Sequence, residues 1–248
     1  MKRFVDIHSH LLPDIDDGAQ TIEQTLELLT GLEAAGYGQL VTTPHLRPSD
    51  AAAARAAGRE PFAAYRDRLE NVQQVAAAAD RSLTIDLGYE LMIDEYLEPL
   101  LVDRAPIFIG SQRRYFLMEF PFTQLPPQAE RFAFNFARRG FVPVLAHPER
   151  YLAVQDDEIK LAQFAEAGFL LQITMGSLAG QFGKKAERLA RQAVLNGLAT
   201  IVGSDLHRPV QIDTFLKGLD WLKQSIDERY FSRLLIDNPL KLLAGEPI

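Results

Sequence analysis

The chain has no cysteine in 248 residues. Disulfides and thiolate metal sites are thereby excluded, a composition that suits a reducing compartment. No apolar run comes near the ~20 residues that cross a bilayer, so no transmembrane helix and no membrane insertion are expected. Residues 1–20 carry no signal-peptide pattern, because the short apolar run from Phe4 to Ile7 passes at once into polar residues. A cytoplasmic protein is the expectation. Basic residues are outnumbered, with 26 lysines and arginines against 33 aspartates and glutamates and a formal net charge of −7. That balance argues against nucleic acid as the main ligand, and bound cations would neutralise part of it. Lysine is missing between Lys2 and Lys160, and histidine occurs five times.

What is present is an ordinary globular composition, 47% apolar and 24% charged. The length suits one large α/β domain with a sizeable core. No linker divides the chain, so 1–248 reads as one domain. Apolar runs at 4–8, 39–43, 83–88, 115–118, 142–146, 169–174 and 200–203 read as seven strands. Helical patterns separate them. Thr21 to Gln24 resembles a capping box, and Ile22, Leu26, Leu29 and Leu32 mark the helix face that follows it. Residues 46–60, rich in Ala, Arg and Gly between Pro48 and Pro61, read as a mobile loop or lid. The chain ends in two helices and a Pro239-anchored tail. Strands alternating with helices call for a parallel sheet, either closed as a barrel or open and doubly wound.

Each of the five histidines, His8, His10, His45, His147 and His207, falls just after an expected strand. Glu90, Glu119 and Asp205 hold the same kind of position. In a parallel barrel these places share one rim, the carboxyl face where active sites are built. His8-Ser9-His10 alone is a weak signal, since alternate residues at a strand end can aim two imidazoles at one point without any metal. A single histidine after a strand is more often a hydrogen-bonded loop residue, and a single glutamate often a helix cap. Those readings do not explain why no histidine lies anywhere else. Imidazoles and carboxylates without thiolate suit Mn, Fe, Zn or similar divalent ions. The donors exceed the needs of one ion, so a cluster of two or three is expected. Such a cluster would lower the pKa of a bound water and clamp the oxygens of a displaced group, which is hydrolytic chemistry matched to a phosphate ester.

The residues Asp6-Ile7-His8-Ser9-His10, Asp16-Asp17-Gly18, Thr43-Pro44-His45, Glu119-Phe120, Ala146-His147-Pro148-Glu149-Arg150-Tyr151 and Ser204-Asp205-Leu206-His207 resemble the polymerase-and-histidinol-phosphatase (PHP) superfamily. More narrowly, they resemble its bacterial capsule-regulating protein tyrosine phosphatases of the CpsB/CapC type. The likeness extends over Gln172-Ile173-Thr174, Gly176-Ser177-Leu178 and Phe182-Gly183 and reaches Ile236-Asp237-Asn238-Pro239, so it covers nearly the whole chain.

The resemblance implies a distorted seven-stranded (β/α) barrel holding three divalent ions, usually manganese, with iron, cobalt or zinc as alternatives. It implies that His8 and His10 share one ion with Glu90 and Asp205 around it. Glu90 would bridge to a second ion held also by Glu119 and His147. Asp17, His45 and His207 would serve the third, with Asp16 and Asp17 exchangeable in that role. The implied reaction is hydrolysis of phosphotyrosine on the tyrosine-rich tail of a bacterial tyrosine kinase that controls polysaccharide synthesis. Arg150 matches a phosphate-contacting arginine, a role that suits its planar fork. Arg150, Asp205 and His207 are the candidates for direct parts in catalysis. Arg208 and Arg47 are further substrate-binding candidates. Relatives often carry a longer segment between the final Asp-x-His and their second arginine, whereas here Arg208-Pro209 follows at once.

Three other functions compete. A small-molecule phosphatase, such as one acting on histidinol phosphate, would use the same metal site. An amidohydrolase also carries His-x-His after its first strand, but many rely on a lysine after strand four, where this chain has Glu119. An inactive metal-binding scaffold would be expected to have lost ligands, and this chain keeps the full set.

Overall fold

Short runs rich in Val, Ile and Leu become the strands. The computed structural model describes residues 3–103 and 105–248. Among them are nine strands: β1 (Phe4–Asp6), β2 (Tyr37–Thr42), β3 (His45–Leu46), β4 (Thr84–Leu87), β5 (Glu90–Met92), β6 (Tyr115–Glu119), β7 (Val142–Ala146), β8 (Leu170–Thr174) and β9 (Ala199–Gly203). They pair parallel throughout, in a three-stranded sheet β1-β2-β4 and a six-stranded sheet β3-β5-β6-β7-β8-β9. Parallel neighbours need long crossovers, and helices fill most of these. The α/β expectation therefore holds.

Nine strands stand where seven were expected, and two interruptions account for the surplus. Thr43-Pro44 parts β2 from β3, and Gly88-Tyr89 parts β4 from β5. Pro44 has no N–H to give a ladder. The chain nevertheless stays in line, because Gly88 N donates to Thr42 O at 2.9 Å and Glu90 N to Pro44 O at 3.1 Å. The two sheets also meet beyond β1 and β9, where Asp205 N donates to His8 O at 2.8 Å and His10 N to Leu206 O at 3.0 Å. Asp6 seals the same seam by accepting from Ser204 N at 3.0 Å and Ser204 Oγ at 2.5 Å. Burial pushes the Asp6 carboxyl up to about 6 in spite of these donors.

One apolar cluster draws on both sheets. Val5, Ile7 and Val41 meet Tyr115, Leu117, Val144, Ala146 and Ile201. The spacing of two within each segment puts these side chains on one face. The opposite strand faces join the larger core beneath the helices, with Leu40, Phe116, Met118, Leu145 and Leu171.

Two stretches differ from expectation. Residues 46–60 contain a helix, Pro48–Ala56. Proline in the first turn presets φ, and alanine is the best helix former, so the run that resembled a loop is helical. The expected tail is a π-helical turn, Arg233–Asp237, followed by a helix, Asn238–Ala244, that ends at Gly245 with φ of 73°. Its Leu242 caps the two-sheet cluster at the amino ends of the strands. The anticipated capping box forms with one change: Thr21 Oγ1 accepts from Gln24 N at 3.4 Å, while the Gln24 side chain takes Gln20 N at 2.9 Å.

Candidate metal centre

All nine anticipated ligands converge on one side of the sheets, most of them after strands and His45, Glu90 and Glu119 within them. His8 and His10 follow β1, His45 opens β3, Glu90 opens β5, Glu119 ends β6, His147 follows β7, and Asp205 and His207 follow β9. Two of them bend the backbone sharply to do so. His147 has φ of 36° and Asp205 has φ of 52°. Left-handed backbone at a non-glycine residue costs on the order of 1–3 kcal/mol and clusters at functional sites.

Glu90 is the hub. Its Oε1 lies 2.7 Å from His147 Nε2. Its Oε2 lies 3.2 Å from His8 Nε2, 3.4 Å from His10 Nε2 and 3.1 Å from His45 Nδ1. Asp205 Oδ1 lies 3.4 Å from His8 Nε2 and 3.5 Å from His207 Nδ1. Glu119 Oε1 lies 3.4 Å from His45 Nδ1, and Glu119 Oε2 lies 3.9 Å from His147 Nε2. Asp17 Oδ1 lies 3.4 Å from both His45 Nε2 and His207 Nε2.

The two adjacent aspartates separate cleanly. Asp17 faces the imidazoles. Asp16 lies behind them, accepting from Gly18 N at 2.9 Å and His45 N at 3.0 Å while its Oδ2 holds the outer nitrogen of His10, Nδ1, at 2.8 Å. Gln172 Oε1 does the same for His8 Nδ1 at 2.7 Å, and the Asp205 carbonyl lies 3.0 Å from His207 Nδ1. An acceptor behind Nδ1 keeps the proton there and turns the Nε2 lone pair toward the centre. Tyr151 braces two further ligands, donating to Ala146 O at 2.7 Å and accepting from Phe120 N at 3.2 Å. These supporting parts of Gln172, Asp16 and Tyr151 were not foreseen from the sequence. Gln172 did stand within a motif, but a glutamine in a strand carries no signal of what lies behind it.

The electrostatics show what the cluster lacks. Burial alone would lower the His8 pKa, yet Glu90 and Asp205 drive it up to about 10. His10 is raised by Asp16 and Glu90 against the same burial, and His45 is raised far more by Asp17, Glu119 and Glu90. Burial would raise Glu90, but His8 and His147 hold it well below the carboxylate range. Burial would raise Asp205 as well, and His8 and His147 bring it down to about 2. Hydrogen bonds from His207 and His45 lower Asp17 strongly. Protons on imidazoles thus supply the positive charge that the carboxylates require.

The arginines take three different places. Arg150 Nη1 donates to Asp205 Oδ2 at 2.8 Å, where Thr174 Oγ1 also donates at 3.4 Å. Arg208 Nε donates to the Asp17 carbonyl at 3.2 Å. Arg47 is exposed at the start of the helix Pro48–Ala56 and makes no side-chain hydrogen bond or ion pair among the described residues.

The donors fit divalent cations. Four groups have ligand atoms within 4.8 Å of one another: His10, Asp17, His45 and His207; His8, Glu90 and His147; His8, His10 and Asp205; and His45, Glu90 and Glu119. Glu90 Oε2, Glu119 Oε2 and Asp205 Oδ1 are buried and face imidazole nitrogens without an aligned hydrogen bond. Buried carboxylate oxygens left in that state are costly unless a cation completes them.

Known proteins resemble the chain over most of its length. Residues 4–244 match the family described as "Capsular polysaccharide synthesis, CpsB/CapC". The tyrosine-protein phosphatase YwqE of Bacillus subtilis is 32% identical over 203 residues, covering 82% of this chain and 77% of that protein. The tyrosine-protein phosphatase CpsB of Streptococcus pneumoniae is 26% identical over 251 residues, covering 98% of this chain and all of that one. A crystal structure from work on YwqE and CpsB, described as unique metal-dependent tyrosine phosphatases, superposes with a TM-score of 0.82 at 28% identity over 98% of this chain and 96% of its own. An amidohydrolase from Mycoplasma synoviae shares the fold at 12% identity, with a TM-score of 0.60.

Proposed function

The chain belongs to the CpsB/CapC family, and from that premise we propose that it is a metal-dependent protein tyrosine phosphatase. Its substrate is phosphotyrosine on the tail of a bacterial tyrosine kinase that controls capsular or exopolysaccharide synthesis. The observation that carries the reading is the convergence of five imidazoles and four carboxylates, with buried oxygens lacking aligned hydrogen bonds, beside one accessible arginine. The two sheets are read as one distorted seven-stranded barrel, supported by the hydrogen bonds that carry β2 into β3, β4 into β5 and β1 onto β9.

Three divalent ions, manganese first among them, would be held by His8, His10, Asp17, His45, Glu90, Glu119, His147, Asp205 and His207. Bound there, they supply Lewis acidity, a lowered pKa for water and positive charge for the phosphoryl oxygens. The protein's own groups do the rest. Gln172 and Asp16 fix the tautomers of His8 and His10. Glu90 and Asp205 each face several imidazoles, which suits them to bridging. Arg150 keeps one N–H on Asp205 and has others to meet the phosphate. Asp205 accepts from that arginine and faces His207, so both are placed to border the reacting group. In the overall reaction the bond between phosphorus and the phenolic oxygen breaks, water supplies the new oxygen, and phosphate and tyrosine leave.

The test is hydrolysis of a phosphotyrosine peptide and of histidinol phosphate by the manganese-reconstituted protein, with bound metal quantified. Manganese-dependent turnover of the peptide, faster than of histidinol phosphate, is expected. Turnover of histidinol phosphate alone would replace the reading with a small-molecule phosphatase, and metal binding without any turnover would replace it with a scaffold.

A further inference from the structure

We propose that Phe122 and Phe182 form an aromatic clamp that positions the Arg150 guanidinium for phosphate recognition, with Phe182 committed to that task alone. The proposal rests on reading Arg150 as the phosphate-contacting residue. The two ring centroids lie 4.5 Å (Phe122) and 4.0 Å (Phe182) from Arg150 Cζ. Ring faces attract a guanidinium through their quadrupoles, more strongly where water is thinned out. The Arg150 side chain is 20% exposed. Of its five N–H donors, Nη1 is engaged with Asp205, while Nε and Nη2 meet no acceptor among the described residues. The group therefore lies over two aromatic rings and is anchored at one corner, with an open edge. Two oxygens of a tetrahedral phosphoryl group can take two hydrogen bonds from such an edge.

The two phenylalanines are not equivalent. Phe122 packs against the main core, and its ring lies 5.3 Å from His147 and 5.9 Å from Tyr151. It has reasons to be aromatic besides Arg150. Phe182 is half-buried, belongs to neither apolar cluster, and stacks on no other ring among the described residues. Its one ring interaction among the described residues is with Arg150.

The loop carrying Phe182 is built to hold it still. Gly180 and Gly183 bracket it with φ of 81° and 91°, the left-handed backbone that glycine adopts without strain. Gly183 N donates to Gly180 O and Gln181 N to Gly176 O, both at 3.1 Å. Gln181 covers Gly176 so closely that a Cβ there would fall 2.1 Å from Gln181 Oε1. Just before the loop, Arg191 Nε and Nη2 donate to Leu178 O at 3.0 and 2.9 Å.

The experiment measures inorganic phosphate binding by calorimetry, and turnover of a phosphotyrosine peptide, for the manganese-loaded protein and its variants. Phe182→Ala is expected to weaken phosphate binding and raise KM by about tenfold, within the range of a cation–π contact, with kcat, bound manganese and Tm little changed. Phe182→Tyr should restore binding, and Phe182→Leu, which keeps bulk but not the π face, should not. In an Arg150→Ala background Phe182→Ala should add no further loss, since a residue acting through another has nothing left to act on. Wild-type behaviour of Phe182→Ala, full rescue by leucine, or an equal loss without Arg150 would each overturn the clamp. If the wild type binds phosphate but turns over no phosphotyrosine, the phosphatase reading fails while the binding series still decides the clamp.

Discussion

At the amino ends of the strands, Val5, Tyr115, Val144 and Ile201 pack against Leu242, and polar groups find partners: Tyr115 Oη donates to Glu246 O at 2.6 Å and Asn238 Nδ2 to Thr200 O at 2.7 Å. At the carboxyl ends, buried carboxylates and imidazoles crowd together. Glu90, Glu119, His147, Glu149, Gln172 and Asp205 there each keep a buried polar atom without an aligned hydrogen bond. His147 and Asp205 also hold left-handed backbone. The same strands thus carry a mostly apolar end, where the buried Tyr37 hydroxyl is the one unpartnered side-chain atom at a strand start among the described residues, and a charged end where such atoms gather. Local rules are broken where a ligand must complete the site, and the other end supplies the stability that tolerates it. The clamped Arg150 stands beside the charged end, over two aromatic rings.

The sharpest way to test this division is to remove the hub. Glu90→Gln should lower manganese-dependent turnover by at least about a thousandfold, because several kilocalories per mole of transition-state stabilisation depend on the ions, and bound manganese should fall with it. Retained activity with full metal content would deny the carboxyl ends their role. At the amino ends the opposite pattern is expected. Leu242→Ala should cost about 2–5 kcal/mol in denaturant unfolding, as for other buried leucines, with kcat per folded molecule unchanged. A loss of kcat without loss of stability would break the contrast.

A smaller effect concerns pH. In the ion-free protein the His8 pKa is raised from 6.5 to about 10. A raised folded pKa means that the proton's contribution to stability is complete below pH 6.5 and disappears as pH rises through 10. The Tm of the metal-stripped protein should therefore decline across that window. The metal-loaded protein, whose ligating imidazoles carry no proton at the ion, should not follow it. Parallel Tm curves for the two forms would show that ions do not replace these protons.

Much of the carboxyl end was legible because histidine is rare here and each one abuts an apolar run. Rarity together with position is information that a single sequence can carry. Asp16 and Asp17 were not separable, since adjacent residues in a turn differ only in the direction each side chain takes. Gln172, Tyr151 and Phe182 were missed as supports for a related reason: each has a partner 164, 31 or 32 residues away, and no local pattern links them. The helix Pro48–Ala56 was misread because flanking prolines resemble loop punctuation, although one of them begins the helix.

By itself the sequence determined which residues follow the strands and that the sheets are parallel, because hydrophobic periodicity and residue chemistry are local properties. It also supplied the candidate donors, imidazole and carboxylate without thiolate, a chemistry that suits divalent ions. Only the tertiary structure decided which carboxylate is the hub, which aspartate faces inward, and what holds each imidazole and the arginine in place. Those are matters of distance and direction between segments far apart in the chain, and they follow from how the strands bend and join once the core has closed.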